Sequence, residues 1–178
     1  MTDTTQQARK SDSVTLKDYL LLIKPSLSIM VVFSSVVSYL LAPKVVTYDL
    51  QMIVLLFAGG MLVTGSANSI NQVVEKDSDA LMKRTAKRPV AAGRMSETEG
   101  WAFAIITGVA GVLILAIFFN VLSALLAAFS LFLYAFIYTP LKKVNSIAVL
   151  VGAFPGALPC LIGWVAGFAP DEPIWWAG

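Results

Sequence analysis

The sequence predicts an all-α bundle of membrane-spanning helices, and three observations support this fold class. Of the 178 residues, 57% are apolar and only 13% are charged, whereas a soluble domain is about 45–50% apolar and about 25% charged. The apolar residues form long runs separated by short polar segments. These runs lack strand-like alternation, and an open sheet cannot cross lipid because its edge groups would lack hydrogen bonds. A soluble enzyme, a secreted disulfide scaffold and a disordered tail are therefore excluded.

Five apolar segments are candidates for membrane-spanning helices. Such a helix needs about 20 predominantly apolar residues. The predicted spans are Leu27–Ala42, Leu50–Val74, Trp101–Phe119, Leu122–Tyr138 and Ile147–Phe168. The first is short, and Tyr19–Ile23 would extend it as an approach along the membrane surface.

Prolines and an asparagine predict where these helices end. Thr139–Pro140 should end the fourth span, because a residue before proline disfavours helical geometry. Asn120 separates the third and fourth spans, which predicts a tight hairpin. Pro155 and Pro159 lie within the fifth span, so a broken helix is expected there, with a packed neighbour or water satisfying its freed backbone groups.

The chain has one cysteine and no histidine, which excludes several kinds of site. A single cysteine cannot form a disulfide framework or a cysteine-based metal site. The lack of histidine excludes histidine-dependent triads and histidine metal sites. Cys160 is expected to be a small, buried packing residue.

Basic residues divide unequally between the two ends of the predicted bundle. Twelve of the 13 Lys and Arg residues lie before the first span or in the loops after the second and fourth spans. Only Lys44 lies on the opposite side. Since cytoplasmic loops are enriched in Lys and Arg, the N-terminus and both basic loops are predicted to be cytoplasmic, in a multi-pass protein of the cell inner membrane.

The same reasoning divides the chain into three parts. Residues 1–24 form a predicted cytoplasmic segment, which has no apolar core and so resembles neither a signal peptide nor a transit peptide. Residues 25–170 form the helix bundle, with a cytoplasmic loop at about 75–99. Residues 171–178 are expected to begin a further span.

Polar residues at the cytoplasmic end of the second span predict a metal site. Asn71, Glu75 and Asp79 recur every fourth residue and would share one helix face if the helix continues. Asn68 lies one turn earlier, and Asp77 lies between them in sequence but on another face unless the helix frays. Carboxylates this close need a cation, and oxygen ligands shared with substrate phosphate suit Mg²⁺.

Basic residues follow this acidic group and extend the prediction to a diphosphate. Lys83, Arg84, Lys87 and Arg88 would form two i,i+4 pairs suited to phosphate oxygens. The head of a lipid pyrophosphate would lie here in water and its tail in the helix bundle. The alternative is a solvated loop whose acids and bases pair and whose cations meet anionic lipid. Asn71 favours the metal site, because a polar amide within a span must be satisfied.

Tyr138 and Lys142 flank Thr139–Pro140 at the same end of the predicted bundle. They could hold the diphosphate or the prenyl head. Tyrosine and lysine are also ordinary anchors at a membrane interface, and spacing alone favours that interpretation.

These residues resemble the UbiA superfamily of intramembrane prenyltransferases. That family carries a first Asp-rich motif of the form N-x-x-x-D-x-x-x-D, which falls on Asn71, Glu75 and Asp79 with Asp77 between them. Its Y-x-x-x-K pattern falls on Tyr138 and Lys142. The strings LLIKPSLSIMVVFSSVVSYLLA, NQVVEKDSDALMKRTAKRPVAAGRMS and YTPLKKVNSIAVLVGAFPGALPCLIGW are most similar to the protohaem IX farnesyltransferase (haem O synthase) group.

The resemblance implies transfer of a farnesyl group from farnesyl diphosphate to a vinyl group of protohaem IX, which is haem B, to give haem O. It implies Mg²⁺ held by the four residues of the Asp-rich motif and Tyr138 and Lys142 at the reacting end. The implied diphosphate contacts are Asn68, Lys83, Arg84 and Arg88. The implied partners are farnesyl diphosphate, haem B and the lipid bilayer, with no role for nucleic acid.

The resemblance also implies that this chain is the N-terminal part of a longer architecture. The family has about nine helices in two similar halves, with a second Asp-rich motif in the second half, whereas five spans are predicted here. A chain with half of the metal ligands should bind diphosphate weakly and not catalyse without a C-terminal half or a haem-handling partner protein. Two alternatives remain open, a UbiA-type enzyme with an aromatic or quinone-precursor acceptor, and a non-catalytic membrane fragment.

Overall fold

The computed structural model describes residues 14–45, 47–142 and 144–169, and all regular elements in these ranges are helical. The helices are α1 Leu16–Ile23, α2 Pro25–Leu40, α3 Leu50–Val74, α4 Lys76–Leu81, α5 Glu97–Phe118, α6 Val121–Phe132, α7 Thr139–Leu141 and α8 Ala148–Ala166. A π-helical turn over Leu133–Tyr138, called the π turn below, joins α6 to α7. The span predicted to begin at 171 and most of the predicted N-terminal segment lie outside the described residues.

Several of these helices can cross a membrane, which confirms the predicted all-α fold class of a multi-pass membrane protein. Among the described residues, α3, α5, α8 and the continuous run Val121–Leu141 are long and apolar enough. The pair α1 and α2, bent by 48°, forms a fifth candidate if it counts as one span. The predicted second span has the same bounds as α3.

Close helix contacts at glycines build the bundle around α3. A Cβ on Gly111 of α5 would lie 2.8 Å from the carbonyl oxygen of Gly59 on α3, so the two backbones touch. A Cβ on Gly163 of α8 would collide with the backbone of Ser35 on α2. Small residues allow such close approach in membrane bundles, where packing replaces the hydrophobic effect. The main buried cluster is Tyr39, Leu56, Leu115, Phe119, Ala124, Ala127, Ile162 and Ala166.

The fourth span does not end before Pro140, and that prediction is wrong. The chain remains helical to Leu141, because the π turn changes the hydrogen-bond register immediately before the proline. The amide of Thr139 donates to the carbonyl of Tyr134, five residues earlier, and the Thr139 hydroxyl donates to the same oxygen at 2.7 Å. Such single π turns are rare and frequently occur at functional sites.

The fifth span is a continuous helix, so the expectation of a broken one is also wrong. Helix α8 contains both Pro155 and Pro159. A proline removes one backbone donor, and membrane helices tolerate this where neighbouring chain packs closely, as α2 and α6 do against α8. Cys160 is exposed on α8 rather than buried, because it faces away from these two helices.

The predicted hairpin at Asn120 is confirmed, and Asn120 also ties together the far end of the bundle. Its Oδ1 accepts hydrogen bonds from the amide and hydroxyl of Ser123, both at 2.8 Å, and so caps α6. Its Nδ2 donates to the carbonyls of Val165 at 2.8 Å and Phe168 at 3.2 Å, at the end of α8.

Candidate functional site

The helical register continues from α3 into α4 through Glu75, which places the first two motif residues together. The amide of Glu75 donates to the carbonyl of Asn71 at 3.0 Å, and that of Asp79 donates to the carbonyl of Glu75 at 2.8 Å. The side-chain Nδ2 of Asn71 donates to Oε2 of Glu75 at 2.9 Å. The predicted common face is therefore present for Asn71 and Glu75.

Lys142, from the end of the fourth span, completes a ring of contacts with these two residues. Its Nζ donates to Oδ1 of Asn71 at 2.7 Å and lies 3.0 Å from Oε1 of Glu75. The same Nζ lies 5.2 Å from the ring centroid of Tyr138. Only 14% of the Glu75 side chain is exposed, so this carboxylate is largely shielded and its charge is compensated by Lys142.

A second ion pair lies beside the first. The buried carboxylate of Asp79 accepts a hydrogen bond at Oδ2 from Nη1 of Arg88. Arg88 reaches back because the chain leaves the helix after Leu81 and turns, with the hydroxyl of Thr85 donating to the backbone carbonyl of Asp79 at 2.9 Å. We call Asn71, Glu75, Asp79, Arg88, Tyr138 and Lys142 the polar cluster.

The remaining predicted basic residues do not join the polar cluster. Met82 has an extended backbone, so the segment after it forms turns, and the predicted i,i+4 pairs on a helix are not present. As a result Lys83, Arg84 and Lys87 are exposed, and only Arg88 meets a carboxylate.

Asp77 is exposed, unlike Glu75 and Asp79 on either side of it. In the described ranges, no three Asp, Glu, His or Cys side chains group closely enough to hold a metal by themselves. The oxygen donors of Asn71, Glu75 and Asp79 nevertheless suit Mg²⁺, which is usually held by one or two carboxylates together with substrate phosphates.

Asn68 supports the fold of the site with both of its amide hydrogens. Its Nδ2 donates to the carbonyl of Ile23 at 3.0 Å and to the hydroxyl of Ser28 at 3.1 Å. Asn68 thereby joins α3 to the junction of α1 and α2. It also lines the cavity described next.

An apolar cavity of about 230 Å³ lies within the bundle and adjoins the polar cluster at Tyr138. Asn68, Tyr134 and Tyr138 line its polar end, and Leu56 and Leu115 line the other end. Asn68 and Leu56 are twelve residues apart on α3, which corresponds to about 18 Å along the helix axis. The remaining walls include Val31, Val63, Ala127, Pro155 and Ile162.

Tyr134 is a site residue that the sequence analysis missed. Its ring centroid lies 5.3 Å from that of Tyr138, and its hydroxyl is within electrostatic range of Glu75 and Arg88. Its position four residues before Tyr138 was a usable signal, because residues at that spacing share a helix face.

Comparison with known proteins identifies the family of the chain and relates its fold to solved structures. The model of the UbiA prenyltransferase family matches residues 31–178. A protoheme IX farnesyltransferase from Flavobacterium johnsoniae is 45% identical over 150 residues, which is 84% of this chain. The chain spans about half the length of this relative and of others of similar identity.

Two solved structures share the fold. One, described as a study of digeranylgeranylglyceryl phosphate synthase, has a TM-score of 0.77 and 23% identity, covering 86% of this chain and 54% of the other. The other is a UbiA homolog from Archaeoglobus fulgidus bound to GPP and Mg²⁺, with a TM-score of 0.71 and 21% identity, covering 88% of this chain and 56% of the other.

Proposed function

The chain belongs to the UbiA prenyltransferase family, and we propose that it provides the diphosphate-binding part of an intramembrane farnesyltransferase acting on protohaem IX. In the proposed reaction, a farnesyl group passes from farnesyl diphosphate to a vinyl group of protohaem IX, and water adds a hydroxyl to give haem O. The choice of donor and acceptor is supported by the names of relatives at about 45% identity.

One observation carries the proposal: the polar cluster adjoins one end of an apolar cavity, with which it shares Tyr138. A prenyl diphosphate has the same division into a charged head and an apolar tail. We place the head against Arg88 and Lys142, and the tail between Asn68 and Leu56. Lys83 and Arg84, exposed on the adjoining turn, would attract the diphosphate from solution rather than hold it.

The polar cluster also suits Mg²⁺, which we propose is held by Asn71, Glu75 and Asp79 together with the diphosphate. When bound, the metal would supply charge stabilisation to the leaving group. We leave the exposed Asp77 out of this set. A similar fold solved with GPP and Mg²⁺ supports the choice of ion.

The chain's own residues would assist departure of the diphosphate in three ways. Arg88 and Lys142 offer hydrogen-bond donors where negative charge develops on the leaving group. The faces of the neighbouring rings of Tyr134 and Tyr138 can stabilise the positive charge left on the prenyl carbon. The apolar walls of the cavity keep water from that carbon until it meets its acceptor.

We infer the orientation and location from charge asymmetry. In the sequence, twelve of the 13 basic residues lie before the first span or in the loops after the second and fourth spans, so the side that holds the polar cluster would face the cytoplasm in the cell inner membrane. Residues 1–24 would then be cytoplasmic, residues 25–170 would form the bundle, and residues 171–178 would begin a further span.

The proposal is tested by ligand binding to the purified chain in lipid nanodiscs. The probe is farnesyl thiodiphosphate, an analogue that resists cleavage, titrated with and without Mg²⁺. Glu75→Gln and Asp79→Asn should each weaken Mg²⁺-dependent binding by about tenfold or more, because each removes a charged oxygen ligand. Asp77→Asn is the matched variant on the same segment, and its loss should be smaller.

Two outcomes would contradict the proposal. If the probe does not bind, or if neither Glu75→Gln nor Asp79→Asn changes its binding, the chain is a packing fragment rather than a diphosphate site.

Titration of haem B and of an aromatic quinone precursor into the complex tests the acceptor. Preferential binding of the aromatic compound would replace protohaem IX with a quinone-type acceptor.

A further inference from the structure

The junction between α1 and α2 has an unusual backbone at Lys24. This residue has φ 51 and ψ 67, and it is the only non-glycine residue with a positive φ among those the structure describes. Side chains with a Cβ disfavour this left-handed conformation, whereas glycine adopts it readily. A lysine kept in such a backbone suggests a use for its side chain, since strained residues concentrate at functional sites.

Buried amides of α3 hold this junction in place. The last carbonyls of a helix lack partners within the helix. Nε2 of Gln72 donates to the carbonyls of Leu21 and Leu22, both at 3.0 Å, and Nδ2 of Asn68 donates to that of Ile23. Gln72 is fully buried. The carbonyls of these three residues at the end of α1 are therefore fixed to α3, which leads directly to Glu75.

Asn68 and Gln72 lie three residues before Asn71 and Glu75, so the junction that they hold, with the partly buried Lys24, lies beside the polar cluster. Its ammonium group is within electrostatic range of two carboxylates, Asp79 and Glu75, and of two cations, Arg88 and Lys142. Both carboxylates already form ion pairs with these two cations. In the described part of the chain, Lys24 itself has no ion pair and no side-chain hydrogen bond.

The polar cluster and Lys24 together hold three cations and two carboxylates, an excess of one positive charge. A partly buried cation beside two others is unfavourable unless an anion approaches it. The polar end of the cavity, lined by Asn68 and Tyr138, lies at the same place. An anion with an apolar tail could place its charge beside these cations and its tail in the cavity.

We propose that Lys24 is a third cationic contact for the substrate diphosphate, and that the bend between α1 and α2 is part of the binding site. This inference rests on the proposed function. The same chemistry could serve the phosphate of an anionic lipid, so the experiment distinguishes the two sources.

The experiment compares four variants of the full chain in nanodiscs of neutral phosphatidylcholine. The probes are farnesyl thiodiphosphate with Mg²⁺ and inorganic pyrophosphate. Lys24→Met and Lys24→Gly should bind both probes about tenfold to a hundredfold more weakly, as expected for a lost charged hydrogen bond. Lys24→Arg should stay close to the unmodified chain, and so should Lys17→Met, which removes an exposed lysine from α1.

Lys24→Gly separates binding from folding. Glycine relieves the backbone strain, so the thermal stability of this variant should be at least that of Lys24→Met, while both lose the same affinity. If Lys24→Met does not fold, the glycine variant still gives the answer. A purely structural lysine would instead show normal affinity in whichever variant folds.

The remaining outcomes are also decisive. If the unmodified chain binds neither probe, the proposed function and this inference both fail. If it binds, and Glu75→Gln weakens binding but Lys24→Met and Lys24→Gly do not, only this inference fails. If the Lys24 variants bind normally in neutral lipid and differ only in discs that contain phosphatidylglycerol, Lys24 contacts a lipid headgroup and the inference is overturned.

Discussion

Substitution of Gly152 by alanine should disturb Tyr138 more than it disturbs the fold. A Cβ at Gly152 would lie 2.7 Å from Cε2 and 3.0 Å from Cδ2 of the Tyr138 ring. An ordinary contact needs 3.4 Å or more, so the ring would have to move by about 0.7 Å. That movement would change its stacking on Tyr134 and its position beside the ammonium group of Lys142.

The expected magnitudes differ for stability and for binding. Overpacking typically costs about 1–3 kcal/mol, and replacing a helical glycine by alanine recovers about 0.5–1 kcal/mol. The free energy of unfolding should therefore fall by no more than about 2.5 kcal/mol. An aromatic contact with a cationic or developing charge contributes about 0.5–2 kcal/mol, so affinity for farnesyl thiodiphosphate should fall by about twofold to thirtyfold.

Gly156→Ala makes the same change one turn further along α8 and is the matched control for stability, whereas the unmodified chain is the reference for binding, because Gly156 lines the cavity. A Cβ at Gly156 meets nothing within 4 Å. Both variants are compared by probe titration in nanodiscs and by thermal unfolding. If Gly152→Ala binds the probe as tightly as the unmodified chain does, the Tyr138 ring has no part in binding and the assigned geometry is refuted.

Three further predictions concern other parts of the bundle. A double-mutant cycle of Lys142→Met and Glu75→Gln should give a coupling energy of about 1–2 kcal/mol in unfolding titrations, and a value below about 0.3 kcal/mol would mean that the ion pair is not formed. Leu56→Ala should lengthen the cavity and so raise the affinity for geranylgeranyl thiodiphosphate relative to the farnesyl analogue. The control is Leu22→Ala, since Leu22 is buried in a separate cluster. Both variants should lower the free energy of unfolding by about 2–4 kcal/mol, but Leu22→Ala should not change the preference between the two analogues. Asn120→Ala should destabilise the chain by about 2–4 kcal/mol through loss of four hydrogen bonds, with unchanged probe affinity, because Asn120 lies at the opposite end of the bundle.

Local sequence patterns predicted the parts of the site that depend on helical periodicity. Asn71 and Glu75 are four residues apart on one helix and form a hydrogen bond, as the spacing predicts. The contact of Tyr138 with Lys142 has the same origin, and the π turn before Pro140 does not disrupt it. The second span was predicted with the correct bounds because its apolar run continues to Val74 and charged residues follow it.

Contacts between distant residues could not be predicted in this way. Lys142 and Asn71 are 71 positions apart, and only the packing of the fourth span beside α3 brings them together. Arg88 meets Asp79 because the backbone turns after Leu81, whereas charge spacing alone suggested a continuing helix. Sequence rules place a helix end before Pro140, because proline has no amide hydrogen to continue the backbone hydrogen bonds. They do not anticipate a π turn before the proline, which shifts these hydrogen bonds and lets the helix continue.

The two ion pairs explain how the proposed metal and diphosphate site accommodates two largely buried carboxylates. Glu75 and Asp79 would repel each other if left alone in a largely buried position, and Lys142 and Arg88 compensate their charges. A metal that binds the carboxylates would release these two cations, and the released cations are the donors that a diphosphate requires. The carboxylates would therefore exchange their cations for the metal, and the cations would exchange their carboxylates for the diphosphate. Because these side chains already lie together, ligand binding would need little rearrangement of the backbone.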